Sequence, residues 1–356
     1  MDCAARKLYA AVAILALLLS PGCLGFHSRQ QQPAELKEFK ETVIAMDTLV
    51  TIALYVPSEE KAHKVFSEVR NELQRLEGIL SAHQPGSDVI AISAAAGKEP
   101  VKVSPETLHV VQTALQYAHI TQGAFDITVA PVLRLYNFDT NNPVRPSVRE
   151  LERTLPLVDW RKVHVDEAQG TVFLSAEGME LDLGGVAKGY ITDAAAEILL
   201  KNGVEFGSVN AGGDIRLLGP KPDGNPWRVG IKDPVNPGAN NWFAIVEVRG
   251  GALVTSGDYE RAFVEDGVRW HHIIDPASGL PASGASSVTV LAPTAEIADI
   301  LSTALFVLGP EKGLELVESL PETEALIWAR GEVFWSSGLI PQEGRGDVFY
   351  FTVKDK

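Results

Sequence analysis

Both cysteines of this 356-residue chain, Cys3 and Cys23, lie at its amino end, and that placement limits the fold before any periodicity is read. Arg6 and Lys7 precede an uninterrupted apolar run from Leu8 to Leu19, which closes on Ser20-Pro21-Gly22-Cys23. The run matches the core of a cleavable export signal, about 7–15 residues, and falls short of the roughly 20 that a membrane-spanning helix needs. With residues 1–22 removed as a signal peptide, Cys23 is the last thiol left. The body can then build no disulfide framework, no Cys-x-x-Cys zinc site and no cysteine nucleophile, although an oxidising compartment would permit disulfides. It must be held by an apolar core, and a chain of this length can build a large one, expected in two lobes sharing a cleft.

Small residues directly before Cys23 resemble the lipobox of bacterial lipoproteins, which implies cleavage before Cys23 and acylation (palmitate) on it. The lipobox prefers Leu, Ile or Val three positions before the cysteine; here Ser20 stands there and Leu19 one step earlier. The expectation is an exported protein, anchored through lipid on Cys23 to a bacterial membrane and facing the periplasm. Removing Asp2, Arg6 and Lys7 with the leader leaves 29 basic against 45 acidic residues, a net charge of −16. No basic footprint is present, which argues against nucleic acid as a partner. Residues 23–41 read as the lipidated cysteine and a flexible linker, since His27 to Lys40 is polar and Gln-rich. Order is expected from about Thr42, and residues 42–356 as one domain of two intertwined lobes.

Thr48 to Val56 carries the β-branched and aromatic enrichment of a strand, and Pro57-Ser58-Glu59-Glu60 supplies a helix start. Val65, Val69, Leu73, Leu76 and Leu80 continue that helix on one face. Ser104 and Pro105 open a second helix, which ends before Gly123. After a Pro-rich connection over 141–156, strands are expected at 163–165, 171–174 and 179–183, then a helix over 188–201 closed by Gly203. Further strands are expected at 227–231, 244–249, 268–274 and 287–291, with a helix over 295–308 stopped by Gly309. The class is α+β: mixed, largely antiparallel sheets with covering helices.

Chemistry concentrates in a few stretches. Asp182-Leu183-Gly184-Gly185-Val186-Ala187-Lys188-Gly189-Tyr190 is a glycine-rich turn leading into a helix with a lysine at its start. Backbone N–H groups, the helix dipole and the lysine charge can cradle a phosphate there, although tight packing alone also uses glycine. The spacing is neither that of a Walker loop nor that of a Rossmann fingerprint. Asn210-Ala211-Gly212-Gly213-Asp214 would bring a backbone close to a ligand or a strand. Thr255 to Arg261 and His271 to Pro276 group polar residues where a core strand wants none; His272 could be a base or could cap its own turn. Asp299 and Thr303 share a helix face, and a carboxylate with a hydroxyl suits a hard cation such as Mg2+.

In this order, together with Thr121 to Val129, these blocks resemble the ApbE-type FAD:protein FMN transferase family. The resemblance runs from Met46 to about Gly309 and implies an FAD cleft between the two lobes. It places Met46, His83, Ala124, Phe125, Asp126, Asp182, Lys188 and Ile274 on FAD, and the Gly185 carbonyl, Asp299 and Thr303 on Mg2+ or Mn2+. It makes His272 and Asp299 the candidates for proton removal. His83 stands where relatives often carry an aromatic residue, and Ser93 where asparagine is common. The implied reaction attaches FMN through a phosphoester to a threonine of an extracytoplasmic acceptor, a subunit of a membrane redox complex, and releases AMP. An FAD pyrophosphatase giving FMN and AMP, and a non-catalytic FAD carrier, are the alternatives. Ser283-Gly284-Ala285-Ser286 looks like the acceptor motif itself.

Overall fold

The computed structural model describes residues 35–138, 141–238, 241–342 and 348–354. The leader, Cys23 and the first part of the spacer lie outside the described residues. The first described elements are the hairpin β1 (Lys37–Ala45) and β2 (Thr48–Val56), followed by α1 (Glu59–Leu80), α2 (Asp88–Ala94), β3 (Val101–Lys102) and α3 (Pro105–Ile120). Next come α4 (Ala130–Leu133), α5 (Val148–Thr154), β4 (Val163–Asp166), β5 (Thr171–Leu174) and α6 (Ala187–Lys201). β6 (Gly207–Ala211), β7 (Asp214–Leu218), β8 (Trp227–Lys232), β9 (Trp242–Val248), β10 (Gly251–Gly257), β11 (Ala262–Glu265), β12 (Val268–His271) and β13 (Ser287–Ala292) then lead to α7 (Ala295–Ser319). β14 (Glu324–Ala329), β15 (Glu332–Trp335), β16 (Leu339–Gln342) and β17 (Phe349–Val353) complete the chain.

The scaffold is an eight-stranded sheet in the order β1-β2-β6-β7-β10-β13-β14-β15, antiparallel at every step. A four-stranded sheet, β16-β17-β9-β8, contains a parallel pair, β17 with β9. The α+β class is therefore the one that forms. Side chains alternate across the large sheet: Val288 and Val290 of β13 pack in the cluster that takes in α7, while Leu291 packs toward the four-stranded sheet with Leu217, Leu253 and Leu326.

α7 matters most for the site, because it serves two cores. Ile300 and Ala304 belong to the cluster built by α1, α2, α3, α6 and the β1–β2 hairpin; Ala298, Leu301 and Leu305 belong to the cluster over β10, β13 and β14. With apolar contacts on both sides, polar groups on its remaining stripe are buried too, and Asp299 is only 4% exposed. Gly309, at φ +75°, kinks the helix, and Pro310 opens a second segment that runs to Ser319.

Several expectations shift. β1 begins at Lys37, inside the stretch read as a spacer, because Lys37 to Ala45 pairs along the whole of β2. The Pro-rich connection contains α5, whose start is a capping box between Ser147 and Glu150. Met179 to Leu183 forms no strand, although Met179, Leu181 and Leu183 are buried. β12 stops at His271, and Ile274 makes only an isolated bridge to Pro281.

Candidate active site

The site is organised by the contact of α6 with α7. Gly189 permits that contact: a Cβ there would lie 2.3 Å from the Ala295 carbonyl oxygen and 2.8 Å from Glu296 Cα. Backbones this close allow the Gly189 N–H to donate to Asp299 Oδ2 at 3.0 Å. The glycine of the Lys188-Gly189-Tyr190 stretch is thus needed for helix approach.

Beside it lies a group of three charges. Lys188 Nζ is 2.8 Å from Asp214 Oδ1. The Asp214 carboxylate is fully buried, and its Oδ2 has no hydrogen-bond partner among the described residues. Burial pushes the Asp214 carboxyl up, against the Lys188 charge. Asp299 is pushed well above the usual carboxylate range, first by burial and then by the negative charge of Asp214, with Lys188 and the Gly189 N–H opposing. Burial alone would lower the lysine, but its two carboxylate neighbours hold it above its ordinary value.

The Gly184-Gly185 turn meets this group from the start of α6. A Cβ on Gly185 would be 3.1 Å from the Phe125 ring and 3.2 Å from Thr303 Oγ1, so that glycine, Phe125 and Thr303 are brought together. Asp182 Oδ1 accepts the Gly184 N–H at 2.6 Å, which shapes the turn. Upstream, Ser93 Oγ accepts the Leu181 N–H at 3.2 Å, and the Asp182 N–H donates to the Ile127 carbonyl at 2.8 Å. Ser93 therefore holds the segment that delivers Asp182.

Asp126, 7% exposed, has its carboxylate occupied within the chain. Oδ1 accepts the Thr128 N–H at 2.8 Å and hydroxyl at 2.6 Å, and Oδ2 accepts the Trp160 N–H at 3.0 Å. Burial raises its pKa, and those bonds oppose the rise. The side chain positions the loop that carries Ala124 and Phe125.

Met46 sits in the two-residue turn between β1 and β2 with φ +53°, followed by Asp47 at φ +56°. A turn with both φ positive usually recruits Asn and Gly, so two other residues here carry local strain. The equivalent tip between β6 and β7, Gly212-Gly213, lies against it: the Gly212 N–H donates to the Leu49 carbonyl at 3.1 Å, and a Cβ on Gly212 would be 2.4 Å from Thr48 Oγ1. The same tip delivers Asp214.

His271 and His272 separate cleanly. His271 is buried, with Nε2 3.0 Å from the Ala282 carbonyl and Nδ1 accepting the Ile273 N–H at 3.3 Å, so its ring is neutral and fully used. His272 does not cap the Asp-Pro turn; Asp275 does, through the Ala277 N–H and Ser278 hydroxyl. Nδ1 of His272 is buried with no hydrogen-bond partner among the described residues. Its pKa is lowered to about 4, first by burial, then by Arg261, His271 and Lys188, so it is a neutral base near neutrality.

Two expected residues stand apart in the contacts they make. Ile274 packs in a small cluster with Val132, Tyr136 and Leu151. His83 is exposed between α1 and α2, its N–H donating to Ser81 Oγ at 3.1 Å. Sequence reasoning gave no role to Asp214, Gly189 or Asp193. Asp214 lay within a block already singled out, and Asp193 follows Gly189 by one helical turn; neither spacing carried a signal of what it would meet.

The chain is similar to known proteins over most of its length. The ApbE family model matches residues 46–327. A Treponema pallidum protein named FAD:protein FMN transferase is 36% identical over 324 residues, covering 86% of this chain and 89% of its own length. A Klebsiella pneumoniae protein of the same name is 34% identical over 289 residues, covering 81% and 88%. The solved ApbE protein of Thermotoga maritima superposes with a TM-score of 0.76 at 35% identity, covering 85% of this chain and 97% of its own. The flavin transferase ApbE from Vibrio cholerae does so at 0.76 and 30%, covering 85% and 98%. The match over most of the chain, in sequence and in fold, places this protein in the ApbE family.

Proposed function

We propose that the protein is a cation-dependent FAD:protein FMN transferase acting outside the cytoplasm, on a threonine hydroxyl of an acceptor protein. The observation that carries the reading is the meeting of Lys188, the Gly184-Gly185 turn, Asp299 and Thr303 where α6 crosses α7. Those groups suit a pyrophosphate and a hard cation, and the relatives' name supplies the reaction.

The residues fit a divalent cation of the magnesium type. Two buried carboxylates share a single lysine, which leaves the pocket short of positive charge. Among the described residues no group of three or more His, Cys, Asp or Glu comes together as a closed metal cage. A magnesium site needs none, because that ion keeps water and substrate phosphate among its ligands. Asp299, Thr303 and the Gly185 carbonyl would hold it, and it would neutralise pyrophosphate oxygens.

In the proposed reaction the acceptor hydroxyl oxygen attacks the flavin-side phosphorus. The bond from that phosphorus to the bridging anhydride oxygen breaks, AMP departs with the bridging oxygen, and a phosphoester through the acceptor oxygen joins FMN to the acceptor. His272, neutral and with a free Nδ1, would take the hydroxyl proton. Lys188 and the turn amides would hold phosphate oxygens.

Export and lipidation at Cys23 belong to the same proposal. A donor carrying its own anhydride bond suits a compartment without ATP, and a tether would keep the enzyme beside acceptors at the membrane. No helix among the described residues is long and apolar enough to cross a membrane.

The test is direct. The protein is mixed with FAD, Mg2+ and an acceptor domain, and the denatured acceptor is examined for fluorescent flavin and the solution for AMP. Label with AMP is expected; AMP with free FMN alone identifies a hydrolase, and neither product identifies a carrier.

A further inference from the structure

α7 is gripped at its first turn by a side chain from α6. Asp193 Oδ1 accepts the Ala295 N–H at 3.0 Å and Oδ2 accepts the Glu296 N–H at 2.9 Å. Thr294, the helix's own N-cap, serves the next donor, Ile297 N–H, at 3.3 Å. The leading N–H groups of a helix have no partner within it, so a carboxylate placed there fixes the helix as well as capping it. Arg216 on β7 lies 3.1 Å from Asp193 Oδ1, which balances the charge and ties the grip to the large sheet.

The two halves of the site come from the two helices, Gly185 and Lys188 at the start of α6, Asp299 and Thr303 on α7. Asp299 lies one turn beyond Ala295. A slip of one residue would rotate the face of α7 by about 100°, turning both oxygen donors away from the glycine turn.

We propose that Asp193 is the positioning residue of this site: it sets the register and rotation of α7 against α6 and thereby aligns Asp299 and Thr303 with Gly185. The inference rests on reading the site as a cation-dependent flavin transferase. Asp193 touches neither substrate nor cation; it acts through α7.

The experiment compares Asp193→Ala with Thr294→Ala in the full-length protein. Both remove a cap from the same helix end, but only the first releases α7 from α6. Free Mn2+ is counted by electron paramagnetic resonance during titration in the presence of FAD, and kcat and KM for FAD are measured alongside. Asp193→Ala is expected to raise the half-saturating Mn2+ concentration at least tenfold and to lower kcat more than it raises KM. Thr294→Ala is expected to lower Tm and to keep the Mn2+ midpoint within twofold of wild type. Asp193→Asn retains one acceptor and should fall between; it carries the test if the alanine variant does not fold.

Equal Mn2+ shifts in both variants, or an unchanged midpoint in Asp193→Ala, would overturn the positioning role. Wild-type protein that neither binds Mn2+ with FAD nor labels an acceptor would overturn the underlying reading.

Discussion

Replacing Gly189 by alanine sets two effects of opposite sign against each other. Inside a helix the change alone stabilises by about 0.5–1 kcal/mol, because glycine loses more backbone freedom on folding. Here the new methyl would land 2.3 Å from the Ala295 carbonyl oxygen, 2.6 Å from its carbon and 2.8 Å from Glu296 Cα, where ordinary contact starts at 3.4 Å. All three atoms are backbone, so no side chain can swing aside, and α6 must move from α7 by about 1 Å. Overpacking of that kind costs about 1–3 kcal/mol. The same movement stretches the 3.0 Å bond from Gly189 N–H to Asp299 beyond hydrogen-bond range, and a bond to a charged group contributes about 1.5–3 kcal/mol.

The clash therefore wins, with a net loss of roughly 2–5 kcal/mol and a Tm lower by about 4–10 °C. Displacing catalytic groups by about 1 Å should also lower flavin transfer by about a hundredfold. A thermal melt and the rate of acceptor labelling read both quantities. A Gly189→Ala protein that melts at or above the wild-type temperature, with transfer within threefold, would refute the claim that this contact builds the site.

Asp299→Ala should abolish acceptor labelling at every Mg2+ concentration while leaving a folded protein, checked by circular dichroism; full activity would remove Asp299 from the mechanism. Asp126→Ala strands the Thr128 and Trp160 amides and should cost several kcal/mol at about 1–3 kcal/mol per orphaned buried donor, seen as a lower denaturant midpoint. His271 has its pKa lowered to about 4 in the folded protein, against about 6.5 when unfolded. Between those values the unfolded chain binds the extra proton, so the histidine disfavours folding at low pH and its penalty fades as pH rises toward 6.5. The stability difference between wild type and His271→Gln should accordingly shift in favour of wild type between pH 4 and 6.5; a difference independent of pH would disprove the assignment.

Much of the scaffold could be read from the sequence because local signals and tertiary packing agree. Ser58 and Ser104 cap the helices they precede, and Thr48 to Val56 pairs as a strand along its whole length. Met179 to Leu183 misled because alternating burial imitates a strand, yet its amides find scattered partners in Ser93 and Ile127 in place of a ladder. α5 was hidden behind prolines that stand outside it, and its capping box was the available signal. Gly185, Asp299 and Thr303 could be proposed as a set only through the family resemblance, because contact between residues so far apart in sequence leaves no mark in spacing. Asp193 and Asp214 were beyond reach for the same reason: an aspartate on an amphipathic helix or after a glycine pair usually faces water.

On the proposed reading, the charge balance of the buried site gives a physical reason for a cation. Lys188 offers one positive charge against the two carboxylates of Asp214 and Asp299, and both carboxyls are already pushed upward by burial. On the proposed reading a pyrophosphate then enters, adding further negative charge where the low dielectric makes repulsion expensive. Lysine alone cannot balance that sum, because its single charge would have to serve Asp214 and the phosphates together. On that reading a divalent ion held by Asp299 and Thr303 would reverse the sign of the field that raises Asp299 and would supply the positive charge that Lys188 cannot. On the same reading the carboxyl of Asp299 is better suited to hold the cation than to take a proton, and the base is His272, which is neutral, buried and without a hydrogen-bond partner at Nδ1 among the described residues.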